Sequence, residues 1–377
     1  MLDKITFYCL SISSFLFNIL FLIICDKFGN IFLEYLQILV YTNFFICCFG
    51  SLQFYIHTKK NLIYLKLEDK FLIFLIILFF IGFVYYLYKD LILSIVFLTT
   101  SISSLVVHLE ICSQTFLNKL HKNSAYIFFI SLIKFLIIFF SFFNNLDFIY
   151  SIIFINILII ILSINFLKRI NLSMTKKKLF NILSGVNNIF GTATTTLDKV
   201  YVIHILPTLS VTYYLVFKIA SIYQFLTELV YRKERFEITS GKYIKNKKVL
   251  FFKFIYLFTA IIIFNMTVKI FFNFFQSYMN LFLIYDLLEI IRKNIDAISF
   301  FFLGFLINAL SGLSYDQIYK KYLYKELFNI NIIMSFIFVV LLVFFGLNIF
   351  YISLIFFFSQ IIELLLINFK GKSLNAK

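Results

Sequence analysis

Residues 71–112 read FLIFLIILFFIGFVYYLYKDLILSIVFLTTSISSLVVHLEIC. The only charged side chains in this stretch are Lys89, Asp90 and Glu110. On either side of Lys89-Asp90 runs an apolar segment of about the 20 residues that a helix needs to cross a hydrocarbon core of about 30 Å. The stretch reads as two membrane crossings, 71–88 and 91–112, meeting at a junction of two residues.

The rest of the chain follows the same pattern. Of 377 residues, 62% are hydrophobic and 14% charged, with 56 Phe, 24 Tyr, 10 Gly and a single Pro, and the mean hydropathy is +0.98. A soluble chain near this length carries about 25% charged residues and hides its apolar ones behind a solvated skin. Here the polar residues are too few to make that skin. Candidate spans fall at about 5–25, 31–56, 71–88, 91–112, 124–143, 146–167, 179–205, 209–231, 249–270, 297–318, 327–346 and 348–369. The expected fold is therefore an all-α polytopic membrane protein of about 12 transmembrane helices. YMNLFLIYDLLEIIR, at 278–292, carries acids and Arg292 and reads as an interfacial segment instead. The apolar N-terminal run lacks a small-residue cleavage site and reads as a retained first helix.

Charge tests the count. With the N-terminus cytoplasmic, the inward segments hold 25 of the 34 basic residues and the outward segments only Lys27, Lys89, Arg292 and Lys293. That split is what the positive-inside rule predicts, and both termini then lie in the cytoplasm. The net charge of +16 becomes a topological signal spread over seven segments, so no nucleic-acid partner is expected. The five cysteines show no paired spacing, and no metal site is expected. No Walker motif or Gly-rich phosphate loop is present, so this chain would not use ATP.

Loop lengths repeat as well. Short outer, long basic inner and short outer loops recur in the same order in the two halves. This divides the chain into a first six-helix bundle at 1–167, a basic cytoplasmic linker at 168–178 and a second six-helix bundle at 179–377. Six is even, so the halves would be parallel repeats about an axis along the membrane normal.

The seventh span carries the most informative polar pattern. Asn181, Ser184, Asn188, Gly191, Thr195 and Asp198 step by three and four and share one helical face. Such a stripe either lines a cavity or lets helices approach closely. Close packing does not explain Asp198, which belongs in a bundle interior or a water-filled cavity. Lys134 lies mid-span with Ser131 and Ser141 on its face, and Lys218 shares a face with Tyr214, Ser221 and Glu228. Each lysine either forms an internal ion pair or contributes to a cationic cavity for an anionic substrate. Lys253 and Lys269, near span ends, are expected to snorkel. His108 shares a face with Ser101 and Ser104 and either relays protons or bonds a neighbouring helix. Ser11, Ser14 and Asn18 form a further polar face on the first span. Glu34, Glu110, Glu228, Asp316 and Glu363 are assigned to interfaces.

CDKFGNIFLEYLQILVYTNFF, at 25–45, resembles the start of polysaccharide flippases of the Wzx type, members of the multidrug/oligosaccharidyl-lipid/polysaccharide exporter superfamily. TTTLDKVYVIHILPTLSVTYYLVFKIASIYQFL, at 194–226, is similar to the same family, with an Asp-Lys pair, a short outer turn and an aromatic stretch leading into Lys-Ile-Ala. The resemblance implies two six-helix bundles around a central cationic cavity. It also implies translocation of an undecaprenyl-diphosphate-linked oligosaccharide across a bacterial cytoplasmic (inner) membrane, for surface polysaccharides such as O-antigen. Asp198 and Lys199 match the family's Asp-Lys pattern. On this reading Lys134, Lys199, Lys218, Ser184, Asn188 and Thr195 line the substrate path, and Asp198 and His108 couple an ion. The expected ion is H+ or Na+, with no cofactor and no catalytic residue. Partners would be the lipid-linked oligosaccharide, membrane lipids and other polysaccharide-assembly membrane proteins. The competing classes are an integral-membrane polysaccharide polymerase, whose large catalytic outer loop is missing here, and a cation-coupled drug exporter, which would favour acids over lysines.

Overall fold

The computed structural model describes residues 2–47, 67–116, 120–163, 190–191, 196–240, 247–275, 282–320 and 324–375. Regular structure among these residues is entirely helical. The chain divides into two compact units, Met1–Ile189 and Phe190–Lys377. The expected linker at 168–178 lies outside the described residues.

The first unit contains α1 (Leu2–Asp26), α2 (Asn30–Cys47), α3 (Leu67–Tyr88), α4 (Leu91–Phe116), α5 (Leu120–Phe143) and α6 (Phe148–Leu162). Its short turns show how the sequence ends one helix and starts the next. Gly29 adopts a left-handed φ of 66° between α1 and α2, a conformation free of Cβ strain only for glycine. Lys89 (φ 50°) and Asn145 (φ 54°) take the same region after α3 and α5. The following carboxylates then cap the next helices, with Asp90 accepting from Ile92 N at 2.7 Å and Asp147 from Ile149 N at 2.8 Å. Each cap satisfies an amide that the first helical turn leaves without a partner.

Hydrogen bonds between side chains set the directions of these helices. Ser11 donates to Ser124 and Ser14 bonds Ser131 at 2.8 Å. The partner numbers climb together, so α1 and α5 run parallel. Ser141 pairs with Ser151 and Tyr126 with Ser163, so α5 and α6 run antiparallel. Asn156 on α6 is engaged at both ends of its amide: the nitrogen donates to Thr100 at 2.8 Å and the oxygen accepts from Ser103 at 2.9 Å, both on α4. The polar faces of α1 and α5 therefore meet each other. Ser131, expected beside Lys134, bonds Ser14 and Asn18, and Ser101, expected beside His108, bonds Thr42.

The second unit contains α7 (Leu197–Ile205), α8 (Ser210–Ser240), α9 (Lys247–Phe275), α10 (Phe282–Lys293), α11 (Ile295–Lys320), α12 (Tyr324–Phe345) and α13 (Ile349–Asn375). Between α7 and α8 the chain turns by 117° through a single turn of 3-10 helix begun by Pro207. The fixed φ and missing N–H of proline suit a first helical position. Phe300 meets Phe350 and Phe305 meets Phe356 edge to face, so α11 and α13 run parallel. Lys253 reaches Val230 O and Tyr223 reaches Leu257 O, so α8 and α9 run antiparallel. Of the interfacial segment expected at 278–292, residues 282–292 lie in α10, a separate short helix joined to α11 through Asn294, and 278–281 lie outside the described residues.

Neighbour relations repeat between the units. In the first, α1 packs on α5, α2, α3, α5 and α6 on α4, and α5 on α6. Replacing α1, α2, α3, α4, α5 and α6 by α7, α8, α9, α11, α12 and α13 reproduces every one of these pairs in the second unit. The amphipathic α10 is the element added between the third and fourth members.

Large apolar side chains also cover the outside of both units. Phe79, Tyr86, Phe129, Phe251, Phe252, Tyr256, Phe336 and Phe344 are all exposed. Among the described residues seven helices are long and apolar enough to cross a membrane, and the bent pair at Pro207 makes up to eight. Phe74–Tyr88 and Phe148–Leu162 are shorter apolar stretches. The chain is an all-α, multi-pass membrane protein.

Candidate functional site

The polar centre of the second unit forms where α7 begins. Asp198 lies in the first turn of α7 and is completely buried, where the positive end of the helix dipole favours a carboxylate. Its Oδ1 accepts from the Lys199 backbone N at 2.8 Å and from Lys199 Nζ at 3.4 Å. Its Oδ2 accepts from the Tyr213 hydroxyl on α8. The carboxylate thus has donors on both oxygens. Lys199 is 6% exposed, and its ammonium also sits 3.5 Å from the centre of the Phe217 ring. A buried ion pair persists only where both charges are held this completely, because desolvation alone costs several kcal/mol per ion.

An aromatic wall encloses the pair. Phe217 contacts Phe301, Phe305 and Phe356, and Tyr213 contacts Phe217 and Phe301. Such pairs each add about 0.5–1.5 kcal/mol beyond the area they bury. The wall fits because Gly304 lies under Phe356: a Cβ there would fall 2.5 Å from the ring.

Lys218 follows Phe217 on α8 and is exposed on its unit, within electrostatic reach of Lys199. The structure thus brings Asp198, Lys199 and Lys218 into one neighbourhood. Lys134, in the other unit, is half-buried and within electrostatic reach of the buried Cys25. His108 is half-buried on α4 and engaged with a neighbour. Ser184, Asn188 and Thr195 lie outside the described residues.

Two arrangements went unread in the sequence. Tyr213 is the carboxylate's partner across the Pro207 turn, and its position was legible, since Asp198 and Tyr213 are nearly equidistant from Leu206. Lys253 does not simply reach for the interface. It binds both oxygens of Glu234, at 2.5 and 2.7 Å, and the Val230 carbonyl, fastening the ends of α8 and α9. No cluster of metal-ligating side chains occurs among the described residues.

Fold and site together define a multi-pass α-helical membrane protein with a buried acid–lysine pair in its second unit. No protein-family description, curated protein or solved structure matches the chain.

Proposed function

We propose that this protein is a flippase of the Wzx type. It carries an undecaprenyl-diphosphate-linked oligosaccharide across the bacterial cytoplasmic membrane for surface polysaccharide synthesis. The observation that carries this reading is the recurrence of the same six helix–helix pairs in both units, since internal repeats of this kind underlie many secondary transporters. Twelve crossings, with both termini cytoplasmic, accord with the 25-to-4 division of basic residues. Charged residues kept at bilayer depth accord with a substrate or ion pathway.

In this reading the chain is a transporter and not an enzyme. Lys134, Lys199 and Lys218 attract the diphosphate, Ser184, Asn188 and Thr195 line the passage, and Asp198 with His108 couples H+ or Na+ through alternating access. The lipid tail stays in the bilayer, and other polysaccharide-assembly proteins deliver and receive the cargo.

The test is the surface glycan of cells lacking the gene, with the cytoplasmic pool of lipid-linked repeat units assayed beside it. Lost surface glycan with accumulated internal units supports the flippase. Single repeat units still reaching the surface would assign the chain to polymerisation instead. Full activity of both Lys134→Ala and Lys218→Ala proteins would remove the cationic path.

A further inference from the structure

The inner face of α13 carries a polar pair that nothing in the transport reading uses. Ile352, Phe356, Gln360, Glu363 and Ile367 step by four, four, three and four and form one stripe. Gln360 is completely buried, and neither its amide nitrogen nor its amide oxygen has a hydrogen-bond partner. Buried polar side chains are rarely left so, and one with both halves unpaired requires an explanation. Glu363 stands one turn further along the same face, half-buried, between Gln360 and an apolar cluster of Leu327, Ile330, Met334 and Ile367. It lies within the span Ile349–Asn368, about 7 Å of helix inside its end at a rise of 1.5 Å per residue. Among the described residues Glu363 takes part in no ion pair.

The chemistry of the two groups says what would satisfy both. A glutamine amide offers an N–H donor and a C=O acceptor. A carboxylate only accepts, so an ionised Glu363 could engage the amide nitrogen and would leave the amide oxygen bare. A carboxylic acid has one O–H to donate and a carbonyl to accept with, the complement of the amide. Residues three apart on a helix are close enough to pair in this way.

We propose that Gln360 and Glu363 form a proton-binding site, in which Glu363 takes up a proton and closes a two-bond pair with the Gln360 amide. On release of the proton the carboxylate turns from the amide toward the end of α13. Along the helices packed against α13, the sequence holds no charged residue over 327–345 of α12 and only Asp296, at the far end, over 295–314 of α11, while Glu363 is the one charged residue over 349–368 of α13 itself. Proton loss opens the pair with the Gln360 amide, and proton uptake closes it again. The inference rests on the membrane-spanning reading of α13 alone and holds whatever the chain transports.

The test is infrared difference spectroscopy of the full chain in lipid nanodiscs, acid minus neutral, reading the carbonyl stretch of a protonated carboxyl group. The wild type should show a band that Glu363→Gln abolishes and that Gln360→Met moves to the higher frequency of a less strongly bonded acid. Both variants preserve side-chain length, and a thermal unfolding scan confirms that they fold. A carboxyl band surviving intact in Glu363→Gln, or unmoved in Gln360→Met, would overturn the assignment. Neither result depends on transport, so its failure and that of the flippase reading are told apart.

Discussion

Removing the charge of Asp198 while keeping its shape isolates what the buried pair contributes. In Asp198→Asn the Tyr213 hydroxyl retains an oxygen to donate to, but the Lys199 ammonium loses its counter-charge. Breaking a buried pair from one side costs about 3–5 kcal/mol. The Phe217 face, 3.5 Å from the ammonium, remains, and a desolvated cation–π contact is worth about 2 kcal/mol. The lower end of the range therefore applies, about 3 kcal/mol, or about a hundredfold in the folded-to-unfolded ratio at 1.4 kcal/mol per tenfold. Adding Lys199→Met removes the stranded charge and keeps an unbranched side chain in the aromatic enclosure. Replacing a whole buried pair by apolar groups of similar volume is often neutral or stabilising, so the double variant should return to within about 1 kcal/mol of the wild type. Unfolding in mixed micelles of rising SDS fraction measures all three proteins. A single variant costing less than about 1 kcal/mol, or a double variant as unstable as the single, would refute the argument that Lys199 depends on Asp198. Wild-type transport by a fully stable double variant would make the pair a packing device and remove both residues from the mechanism.

Other positions give sharper contrasts. Gly304→Ala forces a Cβ against the buried Phe356 ring and should destabilise the second unit by up to about 2 kcal/mol, a helix-propensity gain of about 1 kcal/mol offsetting part of an overpacking cost of about 1–3 kcal/mol. Gly82→Ala meets nothing within 4 Å and should be neutral or stabilising by about 0.5–1 kcal/mol in the same melts. Asn156→Leu strips Thr100 and Ser103 of their partner and should cost about 1–3 kcal/mol, visible as a lower midpoint in SDS titration. Lys218→Ala, at an exposed site, should leave the unfolding midpoint unchanged while lowering export of surface glycan; unchanged export would take Lys218 off the path.

The helices themselves were open to reading because apolar length and the alternation of basic loops are chemical facts of the chain. The Lys89-Asp90 and Asn144-Asn145 junctions, too short to place by hydropathy, become turns through two left-handed residues and two capping aspartates. The polar stripes were harder. Periodicity places Ser11, Ser14 and Asn18 on one face but does not say what that face meets, and it meets the matching serines of α5. The same limit hid Glu234 from Lys253, since the two lie on adjacent helices. Gln360 gave no signal at all: one glutamine in an apolar run looks the same whether paired or orphaned.

The two charged pairs of the second unit differ in how they must enter the bilayer. On insertion scales that assign about 2.5–3.5 kcal/mol to each buried Asp or Lys, separately solvated charges at 198 and 199 would add about 5–7 kcal/mol to the entry of α7. Because they are neighbours in sequence, they can neutralise each other while α7 is still emerging, before Tyr213 has been synthesised. Glu234 lies beyond the apolar run 209–231 and is flanked by Lys233 and Arg235, so of the second pair only Lys253 is carried into the apolar run of its own helix. Its partners, Glu234 and the Val230 carbonyl, lie on the helix made just before it, so they are already in place when Lys253 emerges with α9.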